Sequence, residues 1–151
     1  MKRRAQGFSL FELMVACVIF AVLAGLLLQR LSFYQEEAER ADVEQTVGTM
    51  RAALAMRQAA LAVRAQGRMG ADERAALAGA NPVAWLNAPP RQYAGEYYAP
   101  GLDLVRPGWW YFDRSDRTLG YRPAGGGASI KFRVGAEGAT DGRMVIARVA
   151  D

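Results

Sequence analysis

The 151-residue sequence contains no histidine and a single cysteine, Cys17. Without histidine the chain cannot form a Ser-His-Asp site, a Cys-His site or a histidine-ligated zinc site. A single cysteine also excludes an intrachain disulfide. A carboxylate pair such as Asp113 and Asp116 has groups suited to acid–base chemistry, but two acids that flank a hairpin turn are more often solvated turn residues. The sequence therefore predicts a protein that is not an enzyme and that holds neither a cofactor nor a metal ion.

The sequence also has little excess charge beyond its first few residues. Its formal net charge is +4 and its pI is about 9.6. Lys2, Arg3 and Arg4 account for three of the 19 basic residues, so the chain from Phe8 onward has 16 basic against 15 acidic residues. The remaining arginines are scattered and form no basic stripe that would neutralise phosphates. We therefore expect no nucleic-acid partner.

The sequence does contain one long apolar run, from Phe8 to Leu28, with a single carboxylate at Glu12. As a helix with about 1.5 Å rise per residue, this run spans roughly the 30 Å hydrocarbon core of a bilayer. A cleaved secretory signal has a shorter apolar region followed by an A-x-A-like site. No A-x-A occurs between Ala16 and Arg30. The run is therefore expected to be retained in the membrane and in contact with lipid.

The charges on either side of the apolar run predict its orientation. The basic cluster of residues 2–4 precedes it, whereas Arg30 beyond it is outweighed by Glu36, Glu37 and Glu39. The positive-inside rule then places the N-terminus in the cytoplasm and the rest of the chain on the other side of the membrane.

The start of the run has a distinctive order of residues. A short basic leader ends in Gly7 and is followed by Phe8-Ser9-Leu10-Phe11-Glu12 and the apolar helix. This pattern resembles the class III signal of type IV pilins and type II secretion pseudopilins. The motif covers about residues 7–28, and the long-helix pattern of that family extends to about Ala65. The resemblance implies that residues 1–7 are a leader cleaved after Gly7 by a prepilin peptidase/N-methyltransferase, which then methylates Phe8.

The resemblance also assigns residues 8–28 to a transmembrane and assembly helix in the bacterial inner membrane. The apolar side chains of this helix are Phe8, Leu10, Phe11, Leu13, Met14, Val15, Val18, Ile19, Phe20, Leu23, Leu26, Leu27 and Leu28.

A charged Glu12 is unfavourable within the membrane unless it is paired. For comparison, a charge at the centre of a membrane helix costs about 2.5–3.5 kcal/mol. After cleavage, the new amine of Phe8 would lie four residues away on the same helix face, at the positive end of the helix dipole. In the family this carboxylate is taken to neutralise the terminal amine of an adjacent subunit. From spacing alone, Glu12 could equally be an interfacial residue that only favours the helix N-terminus.

Residues 29–66 are predicted to continue the helix, since Gln29 to Ala65 contains no proline and is rich in helix formers. Many family members have a proline just after the membrane segment, where this chain has Gln29-Arg30, and Gly48 is its only weak point. The continuation has one apolar stripe, made of Val43, Val47, Met50, Leu54 and Leu61. We expect this stripe to lie on a sheet; the alternative is a coiled-coil seam. Gly67 and Gly70 are expected to end the helix in a left-handed cap.

The rest of the chain is predicted to be a loop-rich connection, residues 67–108, and a sheet, residues 109–151. The connection contains a short helix at Asp72–Ala78 and a turn that Asn81 caps and that runs through Trp85. Strand-like runs follow at Trp109–Asp113, Thr118–Arg122, Ser129–Val134 and Arg143–Val149. The expected fold is α+β, pilin-like, with a long N-terminal helix packed on a small C-terminal antiparallel sheet.

Three further features in this region have a structural and a functional interpretation. In the run of four aromatics, Trp109 and Tyr111 should face one side and Trp110 and Phe112 the other. One pair is then expected in the core, and the second faces a loop or a neighbour; stacking on a ligand is the alternative.

Residues 125–127 are glycines that predict a flexible hairpin rather than a phosphate loop. Asp141 resembles a calcium-loop residue of some major pseudopilins, but one carboxylate is too few and a hairpin turn is expected.

Two functions from different classes follow from these observations. The first is a structural subunit, a minor pilin or pseudopilin of a type IV pilus or a type II secretion pseudopilus. Its partners would be the prepilin peptidase, other pilin or pseudopilin subunits, the inner-membrane assembly platform and membrane lipid, and its soluble domain would be periplasmic. The second is a single-span membrane-anchored binding module outside the cytoplasm. Major adhesive pilins often close a C-terminal loop with a disulfide, which this chain cannot form, so a minor pilin or pseudopilin is favoured.

Overall fold

The computed structural model describes residues 9–65, 69–137 and 143–149. It contains two α-helices, two short 3-10 turns at Pro82–Trp85 and Leu102–Leu104, and five strands. The helices and strands are α1 (Leu10–Arg64), α2 (Ala71–Leu77), β1 (Tyr93–Tyr97), β2 (Trp109–Asp113), β3 (Thr118–Arg122), β4 (Ile130–Ala136) and β5 (Met144–Val149). The chain divides into two compact units, Met1–Glu39 and Arg40–Asp151.

Helix α1 extends for 55 residues without proline and runs through both Gly25 and Gly48. It ends at Arg64. The predicted glycine cap is wrong at Gly70, which instead begins α2: its φ is −64°, and its N–H donates to Glu73 Oε2 at 2.9 Å. Gly67, the other predicted cap residue, lies outside the described residues.

The apolar stripe of α1 packs on the sheet, as expected, and the coiled-coil alternative is wrong. Val43, Val47, Met50 and Leu54 are buried, and Leu61 packs at the margin of the same core. Their spacing of three to four residues keeps them on one side of the helix. The core is completed by Leu77, Val83, Trp110, Phe112, Leu119, Tyr121, Phe132, Val134, Met144 and Ile146.

The sheet has the order β1-β2-β3-β4-β5. Strands β2 to β5 pair antiparallel in sequence, and their positions match the four predicted strands to within two residues. Strand β1 was missed, since the sequence around it was interpreted as an irregular connection. It pairs parallel with β2, with an irregularity between Tyr93 and Glu96 where Gly95 has a φ of 111°. A five-residue strand with a bulge gives no alternating pattern, so periodicity could not reveal it.

The outer edge of β5 is covered by side chains of α1. The side-chain amide of Gln58 pairs with the backbone of Met144 as a neighbouring strand would. Its Nε2 donates to Met144 O at 2.8 Å, and its Oε1 accepts from Met144 N at 3.1 Å. Arg51 donates to Ile146 O through Nε at 3.3 Å and Nη2 at 3.2 Å. These bonds fix the position of α1 on the sheet and satisfy groups that an open edge would offer to another chain.

Gly120 is required by Tyr111, which lies directly opposite it in the β2–β3 pair and is only 4% exposed. A Cβ at Gly120 would lie 2.6 Å from Tyr111 Oη and closer still to the ring. We therefore expect Gly120→Ala to lower the free energy of unfolding by about 1–3 kcal/mol, because the ring must leave its site. Urea unfolding of the detergent-solubilised chain measures this. Gly125→Ala is the control, since nothing lies within 4 Å of a Cβ there; equal stability of both variants would contradict the packing argument.

Candidate functional site

The first part of α1 presents a continuous apolar surface. Every predicted membrane-helix residue from Leu10 to Leu28 is exposed, from 42% at Val15 to 86% at Leu10. Val22, absent from the predicted set, is 58% exposed and belongs to the same surface. Exposed apolar patches of this size mark contact with lipid or protein. The helix segment Leu10–Leu28 is long and apolar enough to span a membrane.

The N-terminus of α1 is capped by Ser9, a role that was not predicted from the sequence. Ser9 Oγ accepts from Phe11 N at 3.2 Å, and Ser9 O accepts from Leu13 N at 3.1 Å. A serine directly before an apolar helix is the signal that could have revealed this cap. It fixes where the helix begins and leaves Glu12 in the first turn.

The Glu12 side chain is exposed in that first turn. A carboxylate there interacts favourably with the positive end of the helix dipole. The predicted processing residues, Gly7 and Phe8, lie outside the described residues, so pairing between Glu12 and the Phe8 amine stays a prediction.

The aromatic run in β2 is mostly used for packing. Trp110 and Phe112 lie in the core, where the Trp110 ring centre is 4.8 Å from that of Tyr121 and 6.0 Å from that of Phe132. On the opposite side of the sheet Tyr111 is buried over Gly120. Trp109 is half-buried, with the Arg106 guanidinium carbon 5.8 Å from its ring centre. Trp109 and Tyr111 thus face the other side of the sheet and a loop, as expected, and offer little free ring surface to a ligand.

The expectation that Asp113 is a solvated turn residue is wrong. It is 6% exposed, and its Oδ1 accepts from Ala99 N at 3.0 Å, Ser115 N at 2.9 Å and Ser115 Oγ at 2.7 Å. Three donors compensate the burial of this carboxylate. They also hold Ala99 at a φ of 46°, which a non-glycine residue rarely adopts. Asp113 therefore ties the loop after β1 to the β2–β3 turn.

Asp116 is half-buried and paired rather than free in solvent. Its Oδ2 lies 2.8 Å from Lys131 Nζ, and its Oδ1 accepts from Thr118 Oγ1 at 2.5 Å. Burial alone would raise the pKa of Asp116, but the bonds from Lys131 and Thr118 outweigh it and lower that pKa. The same hydrogen bond raises the pKa of Lys131. Both groups stay charged near neutral pH, which is suited to a structural pair and not to proton transfer.

Asn81 joins the 3-10 turn at Pro82–Trp85 to strand β1. Its Oδ1 accepts from Val83 N at 3.0 Å, which confirms the predicted cap. Its Nδ2 donates to Tyr93 Oη and to Glu96 Oε1, both at 2.9 Å. Burial is the main cause that raises the pKa of Tyr93; the Glu96 charge adds to it and the Asn81 bond opposes it. The contacts with Tyr93 and Glu96 join residues 12 and 15 positions apart, so local sequence patterns could not predict them.

Across residues 9–65, 69–137 and 143–149, no three or more His, Cys, Asp or Glu side chains are grouped so that they could hold a metal ion. The turn predicted at Asp141 lies outside those ranges. The described part of the chain thus leaves the apolar segment of α1, with Ser9 and Glu12 at its start, as the candidate functional site.

Residues 2–28 match the family model described as the prokaryotic N-terminal methylation motif. This motif is the class III signal peptide of type IV pilins and pseudopilins. The match supports a pilin-like or pseudopilin precursor that is structural, is processed by a prepilin peptidase and is anchored in a membrane by its apolar helix. The chain has no significant match among curated proteins or solved structures.

Proposed function

We propose that this chain is a filament subunit, a minor pilin or a pseudopilin, of a type IV pilus or a type II secretion pseudopilus. The observation that carries the proposal is the methylation motif at residues 2–28, which includes the exposed apolar segment Leu10–Leu28. The same helix, α1, continues into a folded α+β domain. A cleavable leader, a retained apolar helix and a domain at the far end of that helix are the parts that a filament subunit needs.

In this proposal the leader lies in the cytoplasm and the domain in the periplasm. The peptidase cleaves after Gly7 and methylates Phe8, while the apolar helix stays in the inner membrane. The assembly platform then transfers that helix from lipid to the helices of neighbouring subunits. Lipid tails are as apolar as these side chains, so the exchange has little hydrophobic driving force. A specific polar contact such as that of Glu12 can then decide when it occurs.

Glu12 also bears on the position of the subunit. A subunit that initiates a filament has no subunit above it whose amine needs neutralising. The presence of Glu12 therefore supports a place within the filament and not at its tip.

The proposal is tested by locating the chain. Filaments are sheared from cells, or formed by overexpression of the system, and separated from membranes. We expect the chain in the filament fraction. A single-span anchored binding module would instead stay in the membrane fraction whether or not filaments form, and that result would replace the proposal with its alternative.

A further inference from the structure

Ser9 binds a backbone N–H group that lies close to the proposed cleavage site. Helix α1 begins at Leu10, and the carbonyl of Ser9 accepts a bond from Leu13 N at 3.1 Å. The side-chain Oγ of Ser9 accepts from Phe11 N at 3.2 Å. These two bonds make Ser9 the N-cap residue of α1, and the bond between Gly7 and Phe8 comes before it in the sequence.

The N–H of Phe11 has an alternative acceptor. In an α-helix each N–H donates to the carbonyl four residues earlier, and the residue four positions before Phe11 is Gly7. If α1 began two residues earlier, Phe11 N would therefore bond the Gly7 carbonyl. Glycine is accepted as an N-cap residue and phenylalanine is not among the preferred ones, so Gly7 is the next position at which the helix could begin.

A helix that began at Gly7 would protect the bond that the peptidase has to hydrolyse. Hydrolysis adds water across the bond between Gly7 and Phe8: the hydroxyl goes to the Gly7 carbonyl carbon, and Phe8 leaves with a free amine. Proteolysis favours segments whose backbone is not bonded within secondary structure. The choice between Ser9 and Gly7 as N-cap therefore determines whether the scissile carbonyl is accessible.

We propose that Ser9 is a positioning residue for leader cleavage: its hydroxyl binds the Phe11 N–H and so keeps the Gly7 carbonyl out of the helix. The inference rests on the proposed function, in which the leader is cleaved after Gly7. Ser9 acts through the start of the helix and needs no contact with the peptidase. A cap that served only helix stability would have the opposite effect, because its loss would fray the helix and expose the scissile bond further.

Cleavage of the full-length precursor by the prepilin peptidase in detergent tests this role. Ser9→Val removes the hydroxyl, whereas Ser9→Thr keeps it in a side chain of nearly the same shape. We expect KM to rise roughly fivefold for Ser9→Val with kcat unchanged, because loss of such a cap shifts the helix start by about that factor and only the shorter helix binds. Ser9→Thr should stay within about twofold of wild type. Ser32→Val makes a matched change inside α1 and should be cleaved like wild type.

A measurement without the peptidase reports the helix start directly. Carbon-13 chemical shifts of Gly7 and Phe8 in detergent micelles should be helical in Ser9→Val and non-helical in wild type and in Ser9→Thr. This comparison distinguishes a longer helix from the loss of a direct contact between Ser9 and the peptidase.

The outcomes separate this inference from the function on which it rests. Cleavage of Ser9→Val at or above the wild-type rate, or equal slowing of Ser9→Thr and Ser9→Val, would overturn the inference and leave the proposed function standing. Slow cleavage of Ser9→Val without helical shifts at Gly7 would do the same. A wild-type precursor that is not cleaved after Gly7 would overturn both the inference and the proposed processing.

Discussion

Glu12→Ala is expected to leave the chain inserted and cleaved but to exclude it from filaments. Insertion should be normal or better, because removing the carboxylate removes its desolvation cost in the membrane. Cleavage should continue, since Gly7 is intact and the scissile bond is four residues away. In the filament, however, the Phe8 amine of the adjacent subunit, which Glu12 is proposed to neutralise, would be left unpaired among apolar helices. Breaking half of a buried pair costs roughly 3–5 kcal/mol, which corresponds to a loss of incorporation of about 100-fold or more.

The measurement is the ratio of filament to membrane protein for wild type and variant, with processing confirmed in both. Glu36→Ala is the matched control, because it removes an exposed carboxylate from the same helix beyond the apolar segment. We expect it to assemble like wild type. If Glu12→Ala also assembled like wild type, Glu12 would be only a helix-end residue that interacts with the dipole.

Gly7→Leu is expected to block processing. A side chain next to the scissile bond would crowd the peptide that the peptidase must cleave, so the variant should accumulate at normal abundance as a membrane-inserted precursor. Electrophoresis and mass measurement of the membrane fraction distinguish precursor from mature chain. Ala5→Leu provides the comparison, since it places the same leucine side chain within the leader and leaves Gly7 unchanged. Normal processing of Gly7→Leu would contradict cleavage after Gly7 by a prepilin peptidase.

The parts of the fold that the sequence could predict depend on local periodicity. Val43, Val47, Met50 and Leu54 recur every three to four residues, so their burial on one side of α1 follows from helix geometry. Strands β2 to β5 are separated by turn residues, which made their antiparallel order predictable. The apolar segment of α1 was recognisable from its length alone.

The parts that the sequence could not predict depend on contacts between distant residues. Strand β1 exists because it pairs with β2, not because its own residues alternate. Asp113 is buried because Ala99 and Ser115 bring donors to it, and a turn-flanking aspartate gives no local sign of this. Gly70 begins a helix instead of ending one because Glu73 bonds its N–H, and composition alone does not distinguish these two roles.

The candidate site was predictable as a pattern of residues, but its assembly chemistry is a property of the mature chain and its neighbours. Ser9 caps α1 and Glu12 lies in the first turn, and both lie within the matched motif. The amine that Glu12 is proposed to neutralise arises only after cleavage at Gly7. The proposed pairing therefore needs both a cleaved chain and a neighbouring subunit.

The most direct test of the central claim is the mass of the N-terminal peptide from membrane-extracted protein. The account predicts that the mature chain begins at Phe8 and that its terminal amine carries a methyl group. A chain that still begins at Met1, with Lys2, Arg3 and Arg4 intact in otherwise assembly-competent cells, would contradict the assignment as a filament subunit.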